Sequence, residues 1–186
     1  MVFECTKDAS AHCFGSFASR HIAKDVSGHY RRGLIEDKWA GLQPLHRGIS
    51  VKPQWYNHST GSYCELTSGL VKITQSCVLN PGDIPRHAEF RSTLATTGQG
   101  ELFGNDEQQQ AQFLYAILTY GIDCNAKDRE QVAFVKIEFP NDRCTKPLDR
   151  GINLVSRYPD IAMQYLSKPS FDAAVAERPN RKRKSA

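Results

Sequence analysis

The spacing of the apolar residues changes along this chain, from the period of a helix to the period of a strand. Near the N-terminus Phe14, Phe17 and Ala18 recur at intervals of three or four residues, which is typical of an amphipathic helix. From Ile49 onward several short segments alternate apolar and polar side chains, as half-buried strands do. No internal repeat is visible. The two patterns together predict a single α+β domain, with a mixed or antiparallel sheet and about four to six helices.

The pattern also predicts where the elements lie. Pro53 confines the strand that starts at Ile49 to an edge of the sheet, and residues 80–83 have the Pro and Gly of a type II turn. The predicted strands are a segment from Ile49, 69–79, 131–139 and 151–155. The predicted helices are 8–26 closed by Gly28, a shorter one that ends near Gly41, one from Asp83 through Leu94, 105–121, one that begins at Pro159, and 170–175.

The most regular helical pattern is at residues 105–121. Asn105 followed by Gln108 resembles a capping box, and Ala111, Leu114 and Ile117 follow at helical spacing. Aromatic residues make this segment apolar almost all round, which predicts the central buried helix, with Gly121 as its left-handed terminus.

The strands at 131–139 and 69–79 are predicted to be half-buried. In the first, Val135 and Ile137 face the core, and Lys136 and Glu138 face solvent. In the second, the buried face includes Val71, Ile73, Cys77 and Leu79, and the solvent face includes Lys72, Thr74 and Ser76.

Length and composition indicate a soluble globular protein. The chain has 186 residues, 40% of them hydrophobic, and no apolar stretch approaches the roughly 18 residues of a membrane span. The N-terminus does not have the pattern of a signal peptide. We therefore expect the protein to be intracellular, either cytoplasmic or, in a eukaryotic host, nuclear, with no membrane partner. The six cysteines are expected to be reduced thiols.

Basic residues are concentrated at the C-terminus. Removing five of them from the 24 Lys and Arg leaves 19, against 20 Asp and Glu in the body. Such a segment is predicted to form a disordered tail, residues 178–186, after a globular domain at 1–177. It attracts polyanions, so nucleic acid is the expected partner, although a solubilising or nuclear-import role is an alternative. The five cations are Arg178, Arg181, Lys182, Arg183 and Lys184.

Three other combinations of residues carry less weight. Cys5, His12 and Cys13 have no Cys-x-x-Cys spacing, and we expect no bound metal. The His-x-Thr element that begins at His58 has no second copy, which disfavours a two-histidine phosphodiesterase. A nuclease with carboxylates from Asp123, Glu130 and Glu138 is disfavoured because Lys136 precedes the acid of its strand rather than following it.

A loose resemblance to mono-ADP-ribosyltransferases supplies an alternative function. Arg47 at the entrance of a strand, Ser92-Thr93, and Glu130 just before a later strand follow the order of that family's Arg, Ser-Thr and acid-x-Glu elements. The resemblance implies an enzyme that uses NAD as cofactor, with Arg47 gripping its phosphate and Glu130 stabilising the ribosyl cation. The sequence departs from the family in an incomplete Ser-Thr-Ser element and in Asp128.

The leading hypothesis is a non-enzymatic accessory protein that binds nucleic acid, or a protein complex bound to nucleic acid, and needs no cofactor. The tail would supply electrostatic affinity. In the body, the polar segment with Trp55, Tyr56 and Tyr63 offers rings on which bases can stack, together with Lys52 and His58. Trp55 itself is expected to pack in the core.

Overall fold

A computed structural model describes residues 1–55, 61–100, 113–123, 130–148 and 151–176. They form an α+β domain with a mixed six-stranded sheet, as predicted. The strand order in the sheet follows the order in the chain. All neighbouring strands are antiparallel except β3 and β4, which are parallel. The strands are β1 (Ile49–Trp55), β2 (Ser62–Ser68), β3 (Val71–Cys77), β4 (Leu114–Asp123), β5 (Gln131–Glu138) and β6 (Ile152–Asn153).

Helices cover both faces of this sheet. Within the described residues there are six α-helices, and a π-helical turn, Thr96–Gly100, directly follows the third. None of the described helices is long and apolar enough to cross a membrane. The helices are α1 (Val2–Ser16), α2 (Arg20–Ala40), α3 (Glu89–Ala95), α4 (Leu154–Arg157), α5 (Pro159–Ala162) and α6 (Lys168–Val175).

The larger core lies between the sheet and the helices α1 and α2. Cys5 and Ile35 from the helices are fully buried with Tyr120 and Val135 from the sheet. A second core lies on the opposite face, where Leu94 of α3 packs with Tyr115, Ile117 and Cys144. The central strands are therefore covered on both sides.

Burial on both faces explains why the predicted helix at 105–121 is wrong over residues 114–121. Residues 114–121 belong to β4, and seven consecutive residues of this strand are buried. A strand buried on both faces has no alternation, so its apolar run resembles that of a buried helix. Residues 105–112 of the prediction lie outside the described residues. Gly121 is not a helix terminus but lies beside a register shift between β4 and β5.

Because helices cover both faces of the sheet, two strands bury side chains that were predicted to face solvent. The strand at 131–139 is confirmed as β5, but Lys136 and Glu138 are buried rather than solvent-facing. In β3, Thr74 is buried although it was assigned to the solvent face, and Leu79 lies beyond the strand with 82% of its surface exposed. Thr74, Lys136 and Glu138 were misassigned because the prediction assumed that one face of each strand is open to water. Leu79 is exposed because β3 already ends at Cys77.

The two N-terminal helices do not begin and end at the predicted residues. Phe17 is extended and Ser19 is the extended N-cap of α2, so residues 17–19 separate two helices where one was predicted. Gly28 lies inside α2, which continues to the predicted end near Gly41. A glycine within a helix is tolerated when packing of the other residues outweighs its cost.

β1 is an edge strand, as Pro53 predicted. Gln43 accepts a hydrogen bond from the backbone N–H of Val51 through its Oε1 atom, at 3.2 Å. Because alternate residues of a strand point their N–H groups to the same side, Pro53 lies on that side too and has no N–H to offer. The outer edge is thus protected against pairing with another strand. The predicted turn at 80–83 is also present, with Gly82 at φ 83°.

Candidate functional site

A cleft of about 660 Å³ opens between α1, the start of β5 and the turn after α5. Ligand sites in proteins are commonly concave and of roughly 300–1,000 Å³, so its size fits a small organic molecule. The described residues that line it are Phe3, Thr6, Lys7, Ser10, Ala11, Phe14, Glu130, Gln131, Val132, Gln164, Tyr165 and Leu166.

The cleft follows from the sequence of α1. Phe3, Lys7, Ser10 and Phe14 recur at helical spacing and therefore lie on one side of the helix. Thr6, Ser10 and Ala11 in the middle of that side have small side chains, Lys7 is exposed, and the rings of Phe3 and Phe14 stand at its two ends. A groove results wherever small residues lie between large ones on a packed surface.

Glu130 is the buried acid of this cleft. Its Oε2 atom accepts hydrogen bonds from Arg31 Nη1 at 2.8 Å and from Ser27 Oγ at 2.9 Å. Its backbone N–H donates to Ser10 Oγ at 3.3 Å. Only 7% of the Glu130 side chain and 5% of the Arg31 side chain are exposed. α2 thus holds the carboxylate of Glu130, and α1 holds its backbone.

The ion pair is buried among packed side chains. Arg31 Nε is buried and has no hydrogen-bond partner among the residues that the structure describes, and the guanidinium carbon lies 6.0 Å from the centre of the Tyr120 ring. Burial raises the pKa of Tyr120 to about 12, although the neighbouring cation opposes this shift. Burial likewise raises the pKa of the Cys13 thiol, and the charge of Glu130 adds to the effect. Tyr120 is therefore a neutral phenol at neutral pH.

The arrangement can accept hydrogen bonds from a ligand. Both described hydrogen bonds to the Glu130 carboxylate engage Oε2, and none from the described residues engages Oε1. A carboxylate has about four acceptor sites, so further capacity remains. Arg31 neutralises the charge, which makes the site a fixed acceptor rather than a strong anion.

A second buried ion pair lies on the opposite face of the sheet. Lys136 Nζ is 3.1 Å from Glu138 Oε1, and the two side chains are 5% and 1% exposed. Within the described residues, neither oxygen of Glu138 has a partner that meets hydrogen-bond geometry. Gly151 closes over this carboxylate, since a Cβ atom there would collide with it. The cleft does not reach this pair.

The structure does not bring Arg47 and Glu130 together. Arg47 is exposed just before β1, whose first residue lies at the end of the sheet where β3 and β4 also begin. Glu130 precedes β5, which begins beside Asp123 at the opposite end and is separated from β1 by three strands. The two side chains therefore do not face one cleft, as the ADP-ribosyltransferase alternative requires. Ser92 lies on α3, where its hydroxyl contacts His87 Nε2 at 3.2 Å.

The residues predicted to stack on bases, to contact phosphates or to bind a metal lie in different parts of the chain. Trp55 is 71% exposed, so the expectation that it packs in the core is wrong. Tyr63 is stacked on Phe90 with a centroid separation of 3.9 Å. Tyr56, His58 and the tail cations Arg178, Arg181, Lys182, Arg183 and Lys184 lie outside the described residues. His12 stacks on Tyr30, and within the described ranges no three His, Cys, Asp or Glu side chains are grouped as a metal site would need.

Sequence reasoning assigned a role to Glu130 but missed Arg31, Ser27 and Ser10. Ser27 and Arg31 are four residues apart on α2, which places them on the same side of a helix. Their partner is 99 positions from Arg31 in the chain, so only the tertiary structure reveals the network.

Comparison with known proteins supplies no relative. No family model, no curated protein and no solved structure matches this chain.

Proposed function

We propose that this protein binds nucleic acid through its basic tail, with a second contact at the end of β1. The observation that carries the proposal is the separation of charge: five cations lie within residues 178–186, and the rest of the chain has slightly more acids than bases. Neutralising phosphates releases counterions, so a short cationic segment gains affinity without a fixed structure.

The surface around Trp55 supports a second contact. Trp55 pairs in register with Ser62 of β2, and the backbone carbonyl of Ser62 accepts a hydrogen bond from Arg32 Nη2. A large exposed ring and a guanidinium group therefore lie near each other at one end of the sheet. Bases of a single strand stack on such rings. Arg32 Nε is 2.9 Å from Glu36 Oε1, so its charge is partly balanced, and its guanidinium plane remains a polar neighbour for a stacked base.

The test measures affinity for a fluorescent oligonucleotide over a range of salt concentrations. If all five tail cations contact phosphates of a duplex, the log-log slope should reach about −4.5, from roughly −0.9 per phosphate. A chain that ends at Glu177 should lose most of that slope and keep its melting temperature. Replacing the five cations by Gln is the matched control, because it preserves the length of the tail.

The role of Trp55 is separable from that of the tail. Trp55→Ala should weaken single-strand binding by about 1–3 kcal/mol, and duplex binding much less, because paired bases are already stacked. Leu79→Ala is the control, since Leu79 is equally exposed but lacks an aromatic ring. Unchanged affinity and salt dependence after tail removal would exclude the tail as the contact. If neither form binds nucleic acid, the proposed function is wrong.

A further inference from the structure

We propose that the cleft lined by α1 and Glu130 binds a nucleobase that carries an exocyclic amino group, with the Glu130 carboxylate as the acceptor. This goes beyond the proposed function, because a free nucleoside can occupy the cleft whether or not the tail contacts a strand.

The first argument is the unused capacity of a buried acceptor. The Glu130 side chain is 93% buried, since 7% is exposed, and it is held by Ser27 and Arg31 on Oε2 alone. Glu130 Oε1 is not one of the buried side-chain atoms that lack a hydrogen-bond partner, so it is open to solvent in the cleft, where a ligand N–H can replace water as its donor. Ser10 Oγ accepts from the Glu130 backbone and still has its own proton to donate.

The second argument is charge. Arg31 lies 2.8 Å from the carboxylate and compensates it, so the floor of the cleft has little net charge. A free cation would gain little there and would be repelled by the guanidinium group. A neutral N–H donor, such as the amino group of cytosine, adenine or guanine, is favoured instead. Acidic side chains accept from the cytosine amino group in protein–DNA complexes in the same way.

The third argument is the shape of the walls. Phe14 stands at one end of the cleft, and Phe3 stands at the other, stacked on Tyr165 with a centroid separation of 5.4 Å and an interplanar angle of 8°. The two phenylalanine rings are eleven residues apart on α1, about 16 Å along the helix, so each offers a separate surface on which a base can stack. Gln131 and Gln164 supply amide groups that can meet the remaining edge of a base.

A positively charged side chain lies at the rim of the cleft. Lys7 lines the cleft and is exposed, so its ammonium group can meet a phosphate attached to the bound nucleoside. The cleft and Trp55 also lie toward the same end of the sheet, because Trp55 ends β1 where β5 begins. The base can come from a free nucleotide or from an unpaired residue of a strand.

The experiment is titration calorimetry of the full-length protein with cytidine, adenosine, guanosine and uridine. Nucleosides have no phosphate, so the basic tail does not contribute. Cytidine and uridine differ at position 4, an amino group in cytidine and a carbonyl in uridine, and at N3, which accepts in cytidine and donates in uridine. We expect cytidine to bind at least about tenfold more tightly, the factor for one hydrogen bond to a charged group, because the uridine carbonyl would face the carboxylate. Equal affinities, or no binding of any nucleoside, would overturn the proposal.

Two variants assign the site. Ala11→Trp should fill the cleft from an exposed position that does not touch the ion pair, and abolish binding with little change in melting temperature. Ala40→Trp, on the exposed end of α2, is the control and should bind as wild type. Glu130→Gln should remove the preference for cytidine over uridine if the variant folds. Undiminished binding by Ala11→Trp would refute this site.

The source of the base is distinguished by comparing two further probes. If Ala11→Trp weakens binding of an unstructured oligonucleotide in proportion to its loss of cytidine binding, the base comes from a strand. If only cytidine monophosphate is affected, the ligand is a free nucleotide. Either result supports a base-binding cleft. If the cleft binds no base, the proposed role of the tail is still tested by the salt dependence of nucleic-acid binding.

Discussion

Gly121 and Phe134 face each other across β4 and β5, and the Phe134 ring occupies the space in which a side chain of residue 121 would lie. Gly121 does not have a positive φ angle, so the requirement for glycine is steric rather than conformational. The aromatic ring compensates for the missing side chain by packing over the backbone of the neighbouring strand.

Gly121→Ala should therefore destabilise the protein by about 1–3 kcal/mol, the range for overpacking in a core. Adding Phe134→Leu should recover part of this loss, because the smaller side chain leaves room for the new methyl group. Gly33→Ala in α2 is the control: nothing lies within 4 Å of its Cβ position, and alanine favours the helix. Urea denaturation measures all three, and a neutral Gly121→Ala would contradict the contact.

The buried pair Lys136 and Glu138 should show strong coupling in a double-mutant cycle. Lys136→Met leaves the Glu138 carboxylate buried without a hydrogen-bond partner, and we expect a loss of about 3–5 kcal/mol of unfolding free energy. The double variant Lys136→Met/Glu138→Leu should be clearly more stable than Lys136→Met alone, since no buried charge of the pair remains. Additive effects in chemical denaturation would show that the two charges do not compensate each other.

Glu4 should titrate far below an ordinary glutamate. Hydrogen bonds from Lys38 at 3.1 Å and from the Tyr165 hydroxyl at 2.9 Å, with the N-terminal charge, lower the pKa of Glu4 to about 2. Because the folded pKa lies below the unfolded one, this contact stabilises the protein above about pH 4.5 and is lost as the pH falls toward 2. The carboxylate is 42% exposed, so screening by water keeps the effect on stability small.

A carboxyl-detected NMR titration measures this value directly. Lys38→Met should raise the pKa of Glu4, because it removes the largest cause of the shift. Lys24→Met is a suitable control, since Lys24 is exposed on the same helix and makes no described contact with Glu4. A Glu4 pKa near 4.5 in the wild type would contradict the described contacts.

Alkylation of the native protein should distinguish its cysteines. Cys5, Cys13 and Cys144 are buried, and burial raises the pKa of each of these thiols. Cys77 is exposed, so it should react with iodoacetamide well before those three, because the thiolate is the reactive form and must meet the reagent. After unfolding without reductant, six thiols should titrate. Mass spectrometry of the native reaction gives the order, and first modification at Cys13 would contradict it.

The sequence alone determined the features that depend on local chemistry. The fold class, the edge strand with Pro53, the turn at 80–83 and the strand at 131–139 all follow from hydrophobic period and from the restricted backbones of proline and glycine. The charge of the tail is likewise a property of the sequence, and its role as a nucleic-acid contact stays a prediction.

The tertiary structure decided everything that depends on which surfaces are covered. Residues 114–121 form a strand rather than a helix, and Lys136 and Glu138 are buried, because helices pack on both faces of the sheet. The cleft has the same origin: Ser10, Arg31 and Glu130 come from distant parts of the chain and meet only after α1 and α2 have packed against β5. Local periodicity indicates which residues can be buried. The helices and strands that pack against them determine which residues are buried.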